Sequence, residues 1–351
     1  MKETMKLDTL EEILQEVKEV AEYDGRDLRP WLYREILLNA LKFKRDDLDI
    51  LDLKVVNRAM DEFRYAARVF KPYRSVRKVS IFGSARTPED DPHYKMAADF
   101  SRRMVEESFM AITGAAAGIM KAGIEGAGPE NSFGVNILLP FESANNVMQD
   151  DPKLVTFRFF FTRKISFVME TDACALFPGG FGTQDEGFEV LTLLQTGKAQ
   201  PMPLVLMELP DDNYWETWDR FVCDQMMDRG LISRPDLSFY KIAHSPQEAV
   251  DWIKSYYSTY HSVRQVRGTL VMRLERELSD EAVAALNESF SDLMKSGKIT
   301  KTEPLPQEKD QPELLAKPRI SFQYDQSNAG RLNEMILAVN EMGGLTCAVT
   351  L

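Results

Sequence analysis

The sequence predicts an α/β protein: a Rossmann-like parallel sheet with helices on both faces, N-terminal helices before it, and a small C-terminal α+β domain after it. Three observations carry this expectation. Between Lys78 and Met207, short apolar runs alternate with longer amphipathic stretches, the pattern of parallel strands joined by crossover helices. Three of those runs end in glycine-rich turns, at Gly83, Gly114 and Pro178–Gly182, and open parallel sheets bind ligands at the carboxyl ends of their strands. The chain has 351 residues, 44% hydrophobic and 28% charged, which suits two or three folded domains and excludes a disordered or fibrous protein.

Residues 1–75 read as helical. Leu7, Leu10, Ile13, Leu14 and Val17 recur at helix spacing, as do Val56, Met60, Phe63 and Ala67 before Phe70. Glu11, Glu12 and Lys18 mark the polar face, and the apolar face is expected to pack on the next domain or on a second subunit.

Residues 76–261 form the expected central domain. Val79–Phe82 is a strand ending in Gly83-Ser84-Ala85-Arg86, and a helix follows over 94–107 with Ala97, Phe100, Met104 and Val105 on one face. A strand from Phe109 to Thr113 runs into Gly114-Ala115-Ala116-Ala117-Gly118 and a helix. Val135–Leu139 is a third strand, closed by Pro140. A helix over 159–170 leads to strand Ala173–Phe177, to Pro178-Gly179-Gly180-Phe181-Gly182-Thr183, and to another helix; Pro203–Met207 is one more strand.

Residues 262–351 change order. Strand Gly268–Leu274, a helix over 279–294 and strand Ile299–Leu305 precede a polar linker at Pro306–Asp310 and Pro312. Strand Arg319–Tyr324, a helix over 328–342 and a final strand at Leu345–Thr350 complete a ferredoxin-like element order, which many functions share.

Charge narrows the function classes. Lys plus Arg is 43 and Asp plus Glu is 55, a formal net charge of −12, so neither a nucleic acid nor an anionic membrane surface is an expected partner. A local pocket can still oppose that field and hold a small anion. No apolar run approaches the roughly 18 residues of a membrane span, and the polar start Met1–Glu12 is unlike a signal peptide, so a cytoplasmic location is expected. Cys174, Cys223 and Cys347, like His93, His244 and His261, are scattered along the chain. They suggest neither a disulfide framework nor a clustered metal site. The chemistry is expected from carboxylates, arginine and backbone groups, without a metal.

Two readings of Pro178–Glu186 stand at this point. Glycines between a strand and a helix let the backbone approach a ligand, and a helix N-terminus favours a phosphate. Alternatively Thr183 caps the helix and Glu186 completes a capping box. Three glycines after a proline favour the phosphate. The P-loop signature is absent, because Ala199 follows Gly197-Lys198 and Ile299 follows Gly297-Lys298. The turn at Gly114 is no dinucleotide fingerprint either.

Pro178-Gly179-Gly180-Phe181-Gly182-Thr183-x-x-Glu186 resembles the PGGxGTxxE signature of the LOG family, the cytokinin riboside monophosphate phosphoribohydrolases once named lysine decarboxylases. Arg163-Lys164 precedes Pro178 by fifteen residues, as the family's Arg-Lys pair does. Phe82–Arg86, Ile112–Gly114, Gly118–Met120, Asn136–Glu142 and Leu191–Thr196 extend the resemblance, which covers about residues 50–260 of an extended bacterial form. It implies hydrolysis of the N-glycosidic bond of a nucleoside 5′-monophosphate, with no cofactor, in a homodimer or higher homo-oligomer. It also implies a catalytic pair, Arg163 and Glu186, and puts Gly83, Ser84, Gly114, Gly118, Glu142, Lys164, Gly179, Gly180, Gly182 and Thr183 at the substrate.

Each residue also has a structural reading. Arg163 fits a salt bridge at a helix start, Ser84 a plain turn, Glu142 a solvated carboxylate, and Phe159, Phe160 and Phe161 core packing. Cys174 reads as a buried small hydrophobe. Two departures from the family bear on substrate range: Gly114-Ala115-Ala116-Ala117-Gly118 stands in place of a glycine cluster, and Gly187 in place of a larger apolar residue. A nucleotide sensor signalling through residues 262–351 is the competing function, and a dehydrogenase is the third.

Overall fold

A computed structural model of the chain describes residues 10–23, 25, 27–139 and 148–345. It resolves into two compact units, residues 1–62 and 63–351. The first holds α1 (Leu10–Glu22), α2 (Leu28–Arg45) and most of α3 (Ile50–Phe70). Within this unit α2 buries none of its side chains, and Leu28, Trp31, Leu32 and Ile36 are exposed.

The second unit is built on a seven-stranded sheet in the order β4-β3-β2-β1-β5-β6-β7. Its strands are β1 (Lys78–Phe82), β2 (Met110–Thr113), β3 (Ser132–Ile137), β4 (Leu154–Phe157), β5 (Ala173–Leu176), β6 (Leu204–Met207) and β7 (Tyr240–Ala243). Every neighbouring pair is parallel. The helices are α4 (Pro92–Glu106), α5 (Ile119–Ala127), α6 (Phe160–Glu170), α7 (Phe181–Gln195), α8 (Tyr214–Phe221) and α9 (Pro246–Tyr256).

Strand residues alternate between two cores, as a sheet covered on both faces requires. Val79, Ile81, Ala111, Ala173, Ala175, Val205 and Met207 pack with α4, α5 and α9. Phe82, Met110, Ile112, Cys174, Leu176, Leu204 and Leu206 pack with Phe167 of α6, Val190 and Leu194 of α7 and Trp215 of α8. Cys174 is fully buried, as expected, and burial pushes its thiol above the ordinary range.

Chain order runs outward from β1 to β4 and then returns beside β1 at β5. The connections therefore diverge between β1 and β5, which opens a crevice at their carboxyl ends. Gly83 follows β1 there and Pro178–Gly180 follows β5.

The second sheet contains β8 (Tyr260–Val266), β9 (Thr269–Leu274), β10 (Met294–Lys301) and β11 (Arg319–Tyr324), ordered β10-β11-β9-β8 and antiparallel throughout. Helices α10 (Asp280–Ser289) and α11 (Ala329–Leu345) bring Leu286, Leu332, Met335, Ile336 and Val339 to its core. Strands β9, β10 and β11 keep the ferredoxin-like order. The place of its last strand, beside β9, is taken by β8 from upstream. The strand expected at 345–350 falls outside the described residues beyond Leu345, which itself ends α11. The helix expected over 279–294 stops at Ser289, and the strand expected from Ile299 begins at Met294. That run, Met-Lys-Ser-Gly-Lys-Ile-Thr-Lys, has little strand character of its own; antiparallel pairing with β11 makes it one.

Candidate functional site

A cavity of about 840 Å³ opens at the crevice between β1 and β5. Its wall includes Gly83, Ser84, Gly114, Arg163, Gly179, Gly180, Gly182, Thr183 and Glu186 of the expected site residues. Gly118 and Lys164 stand behind that wall, and Glu142 lies outside the described residues.

The glycines serve separate purposes. A Cβ at Gly83 would stand 2.7 Å from Ile119, so this glycine admits α5 against the β1 turn. Gly118, at φ +64°, has the Ser84 carbonyl 2.2 Å from where its Cβ would be; the Ile119 N–H donates to that same oxygen at 3.1 Å. Gly118 is thus a packing residue behind the Ser84 turn, not part of the cavity lining. A Cβ at Gly179 would meet Thr183 Oγ1 at 2.1 Å, whereas Gly180 and Gly182 face open space. Only the last two leave room that a ligand can take. The Ser84 N–H donates to the Pro178 carbonyl at 3.1 Å, tying the two loops together, and the Ser84 hydroxyl accepts from the Arg86 N–H at 3.1 Å.

Helix α7 begins at Phe181 with Gly180 as its N-cap, and no side chain caps it among the described residues. Thr183 therefore sits inside the first turn and the capping box does not form. Thr183 and Gln184 donate their N–H groups to the Gly180 carbonyl at 3.1 Å each. The positive end of α7 meets the cavity where the glycines are open.

Arg163 and Glu186 are both buried and come together on the cavity wall, with Nη1 3.6 Å from Oε1. Arg163 Nε donates to the Val135 carbonyl of β3 at 2.9 Å, and its guanidinium lies 5.1 Å from the Phe167 ring centre. The salt bridge expected of Arg163 at the start of α6 thus forms, buried and with Glu186, while a strand carbonyl and an aromatic face hold the guanidinium. Lys164 points to the far side of Glu186, with Nζ 3.6 Å from Oε2, 2.9 Å from Asp185 and hydrogen-bonded to Glu189. Burial raises the Glu186 carboxyl above the ordinary glutamate range, against the pull of the Arg163 and Lys164 charges. Burial presses Lys164 down, but its bonds to Glu189 and Asp185 and the Glu186 charge leave it raised on balance. The arrangement keeps a cation paired behind a carboxylate that protonates readily.

The alanine turn adds less to the cavity than its composition suggests. Ala115 is buried with Ile124 and Met148 at φ +54°, Ala117 is exposed, and only Ala116 reaches the wall. Gly187 has a packing reason, since a Cβ there would stand 2.8 Å from Leu176. The core packing expected of the phenylalanines fails for two of the three: Phe160 is 52% and Phe161 47% exposed, Phe160 lines the cavity, and Phe159 is half-buried. Phe181, 96% exposed, lines it as well.

Sequence reasoning missed Tyr214. Its hydroxyl donates to the Gly179 carbonyl at 2.6 Å and accepts from Gln184 Nε2 at 2.8 Å, holding the glycine loop. No motif spacing points to it, because α8 reaches the loop only through the fold. Asn136 and Met120 also line the cavity.

Residues 103–253 match the family described as "Possible lysine decarboxylase". A rice protein (Oryza sativa subsp. japonica), named "Probable cytokinin riboside 5'-monophosphate phosphoribohydrolase LOGL3", is 32% identical over 94 residues. This part of the central domain is similar to the LOG family. The aligned stretch spans 27% of this chain and 43% of the rice protein. Among solved structures, the molybdenum cofactor binding protein of Rippkaea orientalis is similar at 20% identity, covering 51% of this chain and 94% of its own (TM-score 0.36). The molybdenum cofactor carrier protein of Chlamydomonas reinhardtii is similar at 16% identity over 51% and 96% (TM-score 0.36).

No helix of the described residues is long and apolar enough to cross a membrane.

Proposed function

We propose that the protein hydrolyses the N-glycosidic bond of a nucleoside 5′-monophosphate, releasing the free base and ribose 5-phosphate. The observation that carries this reading is the pairing of Arg163 with a buried, proton-prone Glu186 beside the open end of α7. The 5′-phosphate sits against the backbone at Gly180–Thr183, where the helix terminus favours an anion. As the C1′–N bond breaks, the sugar gains oxocarbenium character. Ionised Glu186 stabilises that charge and takes a proton from water as the new C1′–O bond forms; the departing base takes up one proton from bulk water, to which Glu186 then returns its own. Arg163 clamps substrate oxygens in a fixed geometry, and Lys164 holds Glu186 from behind. The exposed rings of Phe160 and Phe181 give the base a surface to stack on.

The functional unit in this proposal is a homodimer or a higher homo-oligomer. Phe161, Ile165 and Met169 form an exposed apolar stripe along α6, the helix that carries Arg163, and a second copy covers it.

The test is chromatographic. AMP, GMP, CMP, UMP, IMP, their nucleosides and a cytokinin riboside monophosphate are incubated with the protein and with a Glu186→Ala variant. Base and ribose 5-phosphate from a monophosphate, absent with the variant, support the reading. Thermal stabilisation by nucleotides without any base release would overturn it in favour of a sensor.

A further inference from the structure

A second cluster of ionisable groups lies at the carboxyl ends of β6 and β7, away from the Arg163–Glu186 pair. The register sets Met207 beside Ala243, so the next residues, Glu208 and His244, leave the sheet side by side. The Glu208 N–H donates to the Ala243 carbonyl at 3.1 Å. Glu216, in the first turn of α8, completes the group, and one ligand atom from each of the three lies within 4.8 Å of the others.

Glu208 is 0% exposed. Its Oε2 accepts the Trp215 N–H at 2.6 Å, while Oε1 has no hydrogen-bond partner among the described residues. The His244 Nδ1 atom is buried and equally without one. A carboxylate oxygen and an imidazole nitrogen, both removed from water and both unpaired, are costly to leave so. A bound cation answers both lone pairs at once.

We propose that Glu208, Glu216 and His244 form a binding site for one divalent transition-metal ion, of which Zn²⁺ is the best match. An imidazole ligand favours the transition metals over Mg²⁺ and Ca²⁺. Three protein ligands leave a fourth position for water. A tetrahedral ion with bonds of about 2.1 Å brings its ligand atoms to within about 3.4 Å of each other, and Glu216, the exposed member, supplies that closure. The ion ties α8 to β6 and β7. Because Tyr214 of α8 holds the Gly179 carbonyl, metal loading also steadies the glycine loop. The site stands whether or not the cavity cleaves nucleotides.

The full-length chain, stripped with chelator and dialysed, is titrated with Co²⁺ by visible absorption and with Zn²⁺ by calorimetry, with Mg²⁺ as control. The expected result is one ion per chain, Co²⁺ d–d bands that Zn²⁺ abolishes, and a higher Tm with Zn²⁺. Glu208→Gln and His244→Gln are each expected to weaken binding at least tenfold, on the scale of about 10–100-fold seen when groups around a metal are altered. Glu216→Ala, at an exposed position, tests the same loss without threatening the fold. No uptake, Mg²⁺ bound as tightly as Zn²⁺, or undiminished binding by the three variants would overturn the proposal; the last would mark the ions as adventitious. A His244 ring proton bonded directly to Glu208 by NMR, unchanged by Zn²⁺, would also overturn it.

Discussion

Gly114 and Arg163 share one space: a Cβ on the glycine would stand 2.7 Å from Nη2 of the guanidinium. The β2 turn thus admits the arginine that the β3 carbonyl orients. Gly114→Ala is expected to displace the guanidinium and lower kcat/KM on the order of 10²-fold, since a misplacement of about 1 Å costs that much. The Tm should fall only slightly, because flexible Met120 is the other neighbour. Steady-state kinetics with a melting curve check both.

Glu186 couples activity to pH and stability in opposite senses. Its carboxyl is raised in the fold, so its protonated form favours the folded state. That contribution is complete below the ordinary glutamate value, about 4.3, and is lost as pH rises through the raised folded value. Glu186→Gln should therefore melt above the wild type at pH 8, with the gap closing towards pH 4. Base release should fall by at least about 10²-fold in the variant. The wild-type acid limb should lie above the ordinary glutamate range in a pH–rate profile.

Gly180 and Gly182 face open space, whereas Gly179 abuts Thr183. Alanine at 180 or 182 should leave the Tm unchanged or, at 182 within α7, raise stability by up to about 1 kcal/mol, while KM for the monophosphate rises. Gly179→Ala should instead destabilise by roughly 1–3 kcal/mol through overpacking. Melting curves and KM values separate the two classes.

Tyr214→Phe removes the hydroxyl that bridges Gly179 and Gln184. A loss of about 1 kcal/mol in stability is expected, together with a higher KM from a looser loop. Urea denaturation and initial-rate kinetics report these independently.

Met169→Glu and Ile165→Glu place charges on the exposed stripe of α6. Sedimentation velocity should show the wild type as a dimer or larger assembly and the variants shifted to monomer. A monomeric wild type would remove the proposed interface.

The sequence by itself determined the α/β class, the glycine-rich turns at strand ends and the resemblance carried by Pro178–Glu186. Periodicity and turn chemistry are local properties, and the loop is contiguous in the chain. It also indicated Arg163 and Glu186 as partners, through motif spacing rather than geometry. Short edge strands such as β4 and β7 were illegible, because few residues carry their pattern and their neighbours are distant in sequence.

Only the tertiary structure decided what each glycine is for. Gly118 and Gly179 are packed against backbone or side chains, and Gly180 and Gly182 stand open. It exposed Phe160 and Phe161, because the apolar residues of a helix face the core only where a neighbour covers them. It put β8 in the last place of the small sheet and brought Tyr214 to the glycine loop. It also gathered Glu208, Glu216 and His244, which look scattered along the chain. Such convergence depends on strand register and helix docking, and those are set by burial summed over the whole domain rather than by any local run of residues.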